Sequence, residues 1–250
     1  NASYAIRLLK EALPKLAAAG DNEPTSYFTG ILGQAMIESG QDVEGQHLLD
    51  RALRIAEQMG YKGYARHWAS VLGDRAMNEA RYSDAHGYFS RWLRLFPPGT
   101  TDAEYATAVT QMSRASLSLR KPDEALQYAK IALETAETLD DGKLKQAAHG
   151  AMGTALRSLG QSEDALPHLQ AAAESASSVV LRHLAAAQVD SGATDTAIQT
   201  YQRAMKAAQS VDNTLERAHI HRDLGLAYMR QQNLPAAINE WTAALPLYEA

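Results

Sequence analysis

Arginines recur along the C-terminal part of the chain, and their side chain is the one best suited to bind acidic groups. Five of them are of interest, namely Arg114, Arg157, Arg182, Arg222 and Arg230. A guanidinium presents a planar fork of N–H donors that matches a carboxylate or a phosphate. The whole chain has a formal net charge of -5, so arginines gathered on one surface would be a specific feature. The alternative is internal pairing with Asp190, Glu216 and Asp223, and the sequence leaves both interpretations open.

No set of residues in the sequence has the spacing of a catalytic or metal site. His219 and His221 are two positions apart, which puts them on different faces of a helix, so a shared metal ion is not predicted. The chain contains no cysteine, which excludes disulfides and thiolate metal sites. Motifs of phosphate-binding loops, zinc proteases, serine hydrolases and EF-hands are absent. We therefore predict no catalytic residue, no metal and no cofactor, and a chain that is not an enzyme.

The elements that must position the arginines follow from an internal repeat. A small residue preceded by Leu or Met is followed 12 residues later by Gly or Ala, and usually by an apolar and a small residue after 16 and 19. The first members of the six copies are Gly33, Gly73, Ser113, Gly153, Ala185 and Gly225. Successive copies are 40 residues apart, except for a step of 32 between Gly153 and Ala185. Small residues at this spacing let two helices approach closely, so the pattern predicts repeated helix pairs.

The last copy, from His221 to Ala244, shows which repeat family the pattern resembles. Its residues Leu224, Gly225, Tyr228, Ala237, Trp241 and Ala244 resemble the tetratricopeptide repeat, although His221 stands where a Trp is common. The resemblance implies a helix A at about Ala218 to Gln231 and a helix B at about Leu234 to Tyr248. A period of 40 residues is similar to the longer repeats of kinesin light chains, LGN-type scaffolds and bacterial signalling regulators.

The predicted fold is all-α, a right-handed solenoid of antiparallel helix pairs with about six full repeats and an N-terminal half repeat. We expect one domain over residues 1–250, with residues 3–19 as an unpaired helix B and with repeats at 26–65, 66–105, 106–145, 146–177, 178–217 and 218–250. The short step predicts a shortened helix B or loop between the fourth and fifth repeats, with a turn at residues 175–178. We also expect the chain to be part of a longer protein, because it starts with Asn1-Ala2 and opens within a helix B.

Tryptophans are the other residues that invite a ligand-binding interpretation. Trp92 and Trp241 fall at packing positions of helix B, so we interpret both as core residues. Trp68 stands one residue before the position equivalent to His221, where it would pack between helices or face outward. A cage of aromatic rings around a ligand is the alternative for each.

The resemblance also implies where a partner would bind. In this family the concave groove is lined largely by helix A, and the equivalent positions here are the site candidates. They are Gln34, Glu38, His67, Asp74, Asn78, Arg114, Arg157, Arg182, His183, His219, Arg222 and Arg230. The predicted function is a non-enzymatic module that binds a protein or peptide segment, and the arginines favour an acidic one. The alternative is a ligand-sensing regulatory domain of a larger enzyme or DNA-binding regulator.

Composition limits the other classes of partner. The acidic balance gives no sign of direct nucleic-acid binding, and no apolar run is long enough to predict a membrane segment. Absence of cysteine is typical of a cytoplasmic protein. The sequence leaves the oligomeric state open.

Overall fold

The computed structural model describes residues 2–20, 22–175, 177–211 and 213–249. Within them the regular structure consists of thirteen α helices and one short 3₁₀ helix, with no strand, so the predicted all-α class of paired helices is confirmed. The helices form two compact units, Asn1–Thr100 and Thr101–Ala250. A single domain over residues 1–250 and its repeat bounds remain predictions. Three residues named in these predictions lie outside the described part of the chain. They are residues 1 and 250, at the ends of the predicted domain, and residue 176 of the predicted turn.

Unit 1 contains the first five helices of the chain. They are α1 (Ala2–Ala18), α2 (Asn22–Glu38), α3 (Asp42–Gln58), α4 (Lys62–Asn78) and α5 (Tyr82–Arg94). Helix α1 packs on α2, α2 packs on α3, and α4 packs on α5. Only three residues separate α2 from α3 and α4 from α5, and so short a connection makes the two helices of a pair antiparallel.

Unit 2 contains the remaining eight α helices. They are α6 (Ala103–Ser118), α7 (Pro122–Leu139), α8 (Gly142–Ser158), α9 (Ser162–Ala172), α10 (Ser178–Asp190), α11 (Thr194–Ser210), α12 (Thr214–Arg230) and α13 (Leu234–Glu249). They pair in sequence order, as α6 with α7 through to α12 with α13. Even-numbered helices correspond to the predicted helix A, and α7, α9, α11 and α13 to helix B. Each pair also packs on the next, so unit 2 buries its apolar side chains in a continuous seam.

The repeated glycines admit a bulky side chain from the paired helix. A Cβ on Gly153 would come within 2.5 Å of the Leu169 Cγ atom, and one on Gly225 would overlap the Trp241 indole. The close approach predicted at both glycines is therefore confirmed. The residue that requires the glycine is the large one 16 positions later, because the small residue 12 positions later leaves that side chain room to lie across the helix.

The shorter spacing between Gly153 and Ala185 arises because two successive helices, α9 and α10, are both shortened. Helix α9 has 11 residues and ends at Ala172, whereas α7 and α11 have 18 and 17. A 3₁₀ turn at Ala173–Ser175 follows, and α10 has only 13 residues against 17 in α8. The shortening was predicted in helix B or its loop alone, but the structure takes part of it from the following helix A. Neighbouring B helices in this part of unit 2 are therefore unequal in length.

The last helix pair begins earlier than the sequence predicted. Helix α12 starts at Thr214, about one turn before the expected Ala218, and α13 runs from Leu234 to Glu249. The Asn213 side chain accepts a hydrogen bond from the Glu216 backbone N–H at 3.0 Å, and this cap starts the helix. Glu216 is thereby part of a helix instead of a connecting loop.

The tryptophans lie in or against the core. Trp68 is 0% exposed, which excludes an outward-facing ring, and Trp92 is also buried. Trp241 is half-buried, and its indole N–H donates to the Arg222 carbonyl at 3.1 Å. These contacts support the core interpretation of all three. In the described part of the chain, no helix is long and apolar enough to cross a membrane.

Candidate functional site

The centre of the site is an ion network between α10 and α12. The Arg182 Nε atom donates to Glu216 Oε1 at 2.7 Å, and its Nη1 atom donates to Asp223 Oδ2 at 3.3 Å. All three side chains are largely buried, at 11%, 6% and 12% exposure. Glu216 and Asp223 are seven residues apart on α12, two helical turns, so both carboxylates face α10 and one guanidinium reaches both. The network holds the two helices in one register.

The network keeps its charges despite the burial. Burial lowers the pKa of Arg182, but Glu216 and Asp223 outweigh that effect and hold it above its usual value. Burial likewise raises the pKa of Glu216, but hydrogen bonding to His219 and the nearby Arg182 bring it below its usual value. The ion pair is therefore formed at neutral pH, and Arg182 is not free to bind another acid.

Histidine and arginine side chains extend this network toward α8. The Arg157 Nε atom donates to His183 Nδ1 at 3.3 Å, and Arg157 also lies 4.0 Å from an Asp190 carboxylate oxygen. Burial lowers the pKa of His183 well below its usual value, and Arg182, Arg157 and His219 lower it further. A neutral imidazole can accept the hydrogen bond from Arg157, so His183 links α8 to α10 as an uncharged acceptor.

Two arginines of α12 remain open to solvent beside the network. Arg222 pairs with the adjacent Asp223 at 2.7 Å, yet its side chain is 49% exposed. Arg230 donates to the Val189 carbonyl at 2.9 Å and lies 3.7 Å from an Asp190 carboxylate oxygen, with its side chain 53% exposed. Exposed pairs of this kind contribute only about 0–1 kcal/mol. A partner carboxylate can therefore compete for both guanidinia.

These contacts join six of the predicted site residues into one surface. We call it the α8–α12 surface, and its predicted members are Arg157, Arg182, His183, His219, Arg222 and Arg230. Glu216, Asp223 and Asp190 complete it. The sequence indicates these three carboxylates only as alternative partners of the arginines, and Glu216 precedes the predicted start of helix A at about Ala218. A helix start at Asn213 was the signal that would have placed Glu216 beside Arg182.

The other predicted site residues lie elsewhere. Arg114 on α6 is exposed and donates to the Gln111 side chain at 2.8 Å, within its own helix. The five candidates of unit 1 lie on α2 and α4, where Gln34 is half-buried and Glu38, His67, Asp74 and Asn78 are exposed. The His67 ring packs on Trp68 with centroids 4.5 Å apart. Their role in binding stays a prediction.

The histidines pair individually with different groups. His219 lies 3.7 Å from Glu216 and packs on the Tyr248 ring, whereas the His221 Nδ1 atom contacts a Glu240 carboxylate oxygen at 2.6 Å. His149 and His168 contact each other across α8 and α9, with their Nδ1 atoms 2.8 Å apart. The residues described by the structure include no group of three or more potential metal ligands.

Comparison with known proteins supports the repeat interpretation at two levels. The family model described as tetratricopeptide repeat matches residues 151–212 and 184–249, which span α8 to α13. A comparison of the sequence with curated proteins finds no match. The subtype of long repeats named above remains a prediction.

Solved structures with the same fold are distant in sequence. MamA from Desulfovibrio magneticus RS-1 aligns with a TM-score of 0.51 at 19% identity, over 74% of this chain and 95% of its own. A STAND protein from Pyrococcus horikoshii with a tetratricopeptide repeat sensor aligns with a TM-score of 0.72 at 15% identity, over 98% of this chain but only 39% of its own. A Rap protein complexed with competence and sporulation factor gives a TM-score of 0.62 at 13% identity, over 96% of this chain and 79% of its own.

Proposed function

We propose that this chain, whose residues 151–212 and 184–249 match the tetratricopeptide repeat family model, is a non-enzymatic interaction module that binds an acidic partner segment on the α8–α12 surface. A repeat array offers extended surface without a dedicated reaction site, and recognition then depends on the side chains that each helix A presents. The Rap protein, solved with competence and sporulation factor, is an example of this fold holding a partner.

The exposure of Arg222 and Arg230 is the observation that carries the proposal. Each guanidinium is held in place by a neighbouring acceptor, so it loses little conformational freedom when a partner binds. Each still presents further N–H donors to solvent. Arg182 has a different role from the predicted one, because its guanidinium is largely buried and already pairs with Glu216 and Asp223. It holds α10 against α12 and so keeps the Val189 carbonyl of α10 beside Arg230.

Fluorescence anisotropy with a labelled oligoglutamate peptide tests the proposal. An oligoglutamine peptide of the same length serves as the uncharged control. We expect Arg222→Ala/Arg230→Ala to weaken oligoglutamate binding by about tenfold or more, since hydrogen bonds to charged groups contribute about 1.5–3 kcal/mol each. Binding should also weaken when added salt shortens the Debye length from about 30 Å to about 8 Å.

A matched variant separates local recognition from general charge. Arg51 and Arg54 are exposed arginines on α3 of unit 1, so Arg51→Ala/Arg54→Ala removes the same charge elsewhere. That variant should bind oligoglutamate as tightly as the unmodified chain. Equal loss in both double variants, or equal binding of the two peptides, would show that the α8–α12 surface does not recognise acidic segments.

A ligand-sensing regulatory domain is the second candidate. The sensor-containing STAND protein matches nearly the whole of this chain, while this chain covers only 39% of that protein. An array of this fold can therefore be the sensor part of a larger protein. Under this candidate, binding on the repeat surface would change the activity of an attached domain.

A further inference from the structure

The last helix pair of unit 2 carries a group of exposed apolar side chains, each between 44% and 63% exposed. We call this surface the α12–α13 face, and its apolar members are Leu226, Met229, Leu234, Ile238, Leu245 and Tyr248. The spacings of three, four and seven residues place Leu226 and Met229 on one side of α12, and Leu234, Ile238 and Leu245 on one side of α13. Clustered apolar exposure of this kind marks an interaction surface.

The preceding helix pair shows that the equivalent face holds a helix. The repeat places each residue of α10 and α11 40 positions before its equivalent in α12 and α13. Val189 is 7% exposed, whereas its equivalent Met229 is 48% exposed. Ile198 is half-buried, whereas its equivalent Ile238 is 51% exposed. Helix α12 packs on both α10 and α11, so the face that is open in the last pair is covered by a helix one repeat earlier.

An arginine occupies the same position in both helix pairs. Arg182 and Arg222 are 40 residues apart and are equivalent residues of α10 and α12. Arg182 pairs with Glu216 and Asp223, which are seven residues apart on the helix that packs on its own pair. Arg222 pairs with the adjacent Asp223, but its side chain is 49% exposed. A helix on the α12–α13 face would bring its carboxylates to Arg222 as α12 brings them to Arg182.

We propose that the α12–α13 face binds an amphipathic helix of a partner protein, with two acidic residues seven positions apart and apolar residues on the same side. This inference rests on the proposed function and defines its acidic segment as a helix. Two carboxylates at that spacing lie two helical turns apart on one side, so both reach the guanidinium of Arg222. Burial of the partner's apolar side chains against Met229 and Leu245 supplies attraction that a purely acidic peptide lacks.

Isothermal titration calorimetry with two alanine-based peptides tests this proposal. The matched peptide has Glu, Ile, Asp and Leu at the spacing of Glu216, Ile220, Asp223 and Leu224, which α12 packs against the preceding pair. The shifted peptide has the same composition, but its Asp is moved to another side of the helix, and circular dichroism verifies that both are equally helical. We expect the matched peptide to bind about tenfold more tightly or better, since hydrogen bonds between charged groups are the strong ones.

The result also separates this inference from the proposed function. Equal binding of the two peptides would overturn the helical partner, and it would leave recognition of acidic segments standing if oligoglutamate still requires Arg222 and Arg230. Replacement of Arg222 by alanine should remove the preference for the matched peptide. A preference that survives in Arg222→Ala would contradict the pairing proposed for this arginine.

A charge placed on the face tests its apolar part. Leu245 is 63% exposed, so Leu245→Glu should fold as the unmodified protein does but bind the matched peptide about tenfold more weakly or worse. Val43, on α3 of unit 1, is 76% exposed, and Val43→Glu should bind the peptide as tightly as the unmodified protein. Equal binding by both variants would show that the α12–α13 face is not the docking surface. Sedimentation equilibrium tests the other occupant, because a dimer that Leu245→Glu dissociates would assign the face to a second copy and overturn the proposal.

Discussion

Two arginine–glutamate pairs, one in each unit, join helices across the same 34 residues of sequence. In unit 1, Arg91 of α5 donates through Nε and Nη2 to the two carboxylate oxygens of Glu57 on α3, at 2.9 and 2.6 Å. In unit 2, Arg182 of α10 donates to Glu216 on α12 at 2.7 Å and to Asp223. The first pair is 26% and 31% exposed, and the second is 11% and 6% exposed.

The difference shows that burial, more than hydrogen-bond geometry, decides what an ion pair does for the fold. Arg91 has the better bidentate contact, but water competes for both charges and replaces either partner when the other is lost. The carboxylates bound by Arg182 are removed from water, so the loss of the guanidinium leaves Glu216 beside His219 alone and Asp223 beside the exposed Arg222 alone. The unit 1 pair lies on the surface and adds little to the contact between α3 and α5. The unit 2 network is buried and determines how α10 packs on α12.

The largest expected effect comes from Arg182→Ala. It removes the guanidinium from buried Glu216, so we expect the free energy of unfolding to fall by up to about 3–5 kcal/mol, the range for breaking a buried pair. Urea unfolding followed by circular dichroism measures this. Adding Glu216→Gln to Arg182→Ala should recover a large part of the loss because the stranded charge is removed. A loss below about 1 kcal/mol for the single variant would place Arg182 with the surface pairs.

A smaller effect on the free energy of unfolding is expected from the protonation of His183 at mildly acidic pH. Its folded pKa lies well below the ordinary 6.5, so between those values the unfolded chain binds a proton that the folded chain does not. Stability should therefore fall as the pH decreases below about 6.5, with a slope of at most about 1.4 kcal/mol per pH unit for this proton.

Variants identify the histidine responsible. His183→Gln retains a side-chain acceptor for Arg157 and should flatten the dependence of the urea midpoint between neutral and mildly acidic pH. The pKa of His168 is also lowered, by burial and then by His149, so His168→Gln should flatten it to a lesser extent. A His183→Gln profile that superimposes on that of the unmodified protein would argue against a buried neutral imidazole.

The smallest expected effect is that of Arg91→Ala. Since both members of the pair retain access to water, the loss should be about 0–1 kcal/mol and should decrease further in high salt. Comparison with Arg182→Ala under the same urea conditions tests the contrast between the units directly. Equal losses in the two variants would mean that exposure does not distinguish them.

Helix pairing could be predicted from the sequence because its causes are local. Gly225 and Trp241 belong to consecutive helices joined by a short turn, so their spacing alone indicates which residues meet. The same reasoning located Gly153 against Leu169. The repeat spacing also predicted an irregular step after the fourth copy, but the missing residues were expected in helix B or its loop. Periodicity gives the number of missing residues and does not show which helix is shorter.

The candidate site was predictable only as a set of residue types. Helical spacing put Arg182 and Arg222 on the same kind of surface, and it left open whether they bind a partner or pair internally. That outcome depended on the start of α12, which the sequence placed one turn late, and on the packing of α10 against α12. Arg182 and Glu216 are 34 residues apart and meet only when both conditions hold. No local sequence pattern therefore predicts their contact.

The sequence by itself determined the all-α class, the pairing of neighbouring helices and the position of the interruption, because each follows from residue size at short spacing. Tertiary structure alone decided that Arg182 is buried against Glu216 while Arg222 and Arg230 remain exposed. Burial is the physical reason, since the exposure of a side chain depends on helices that are distant in sequence and adjacent in space.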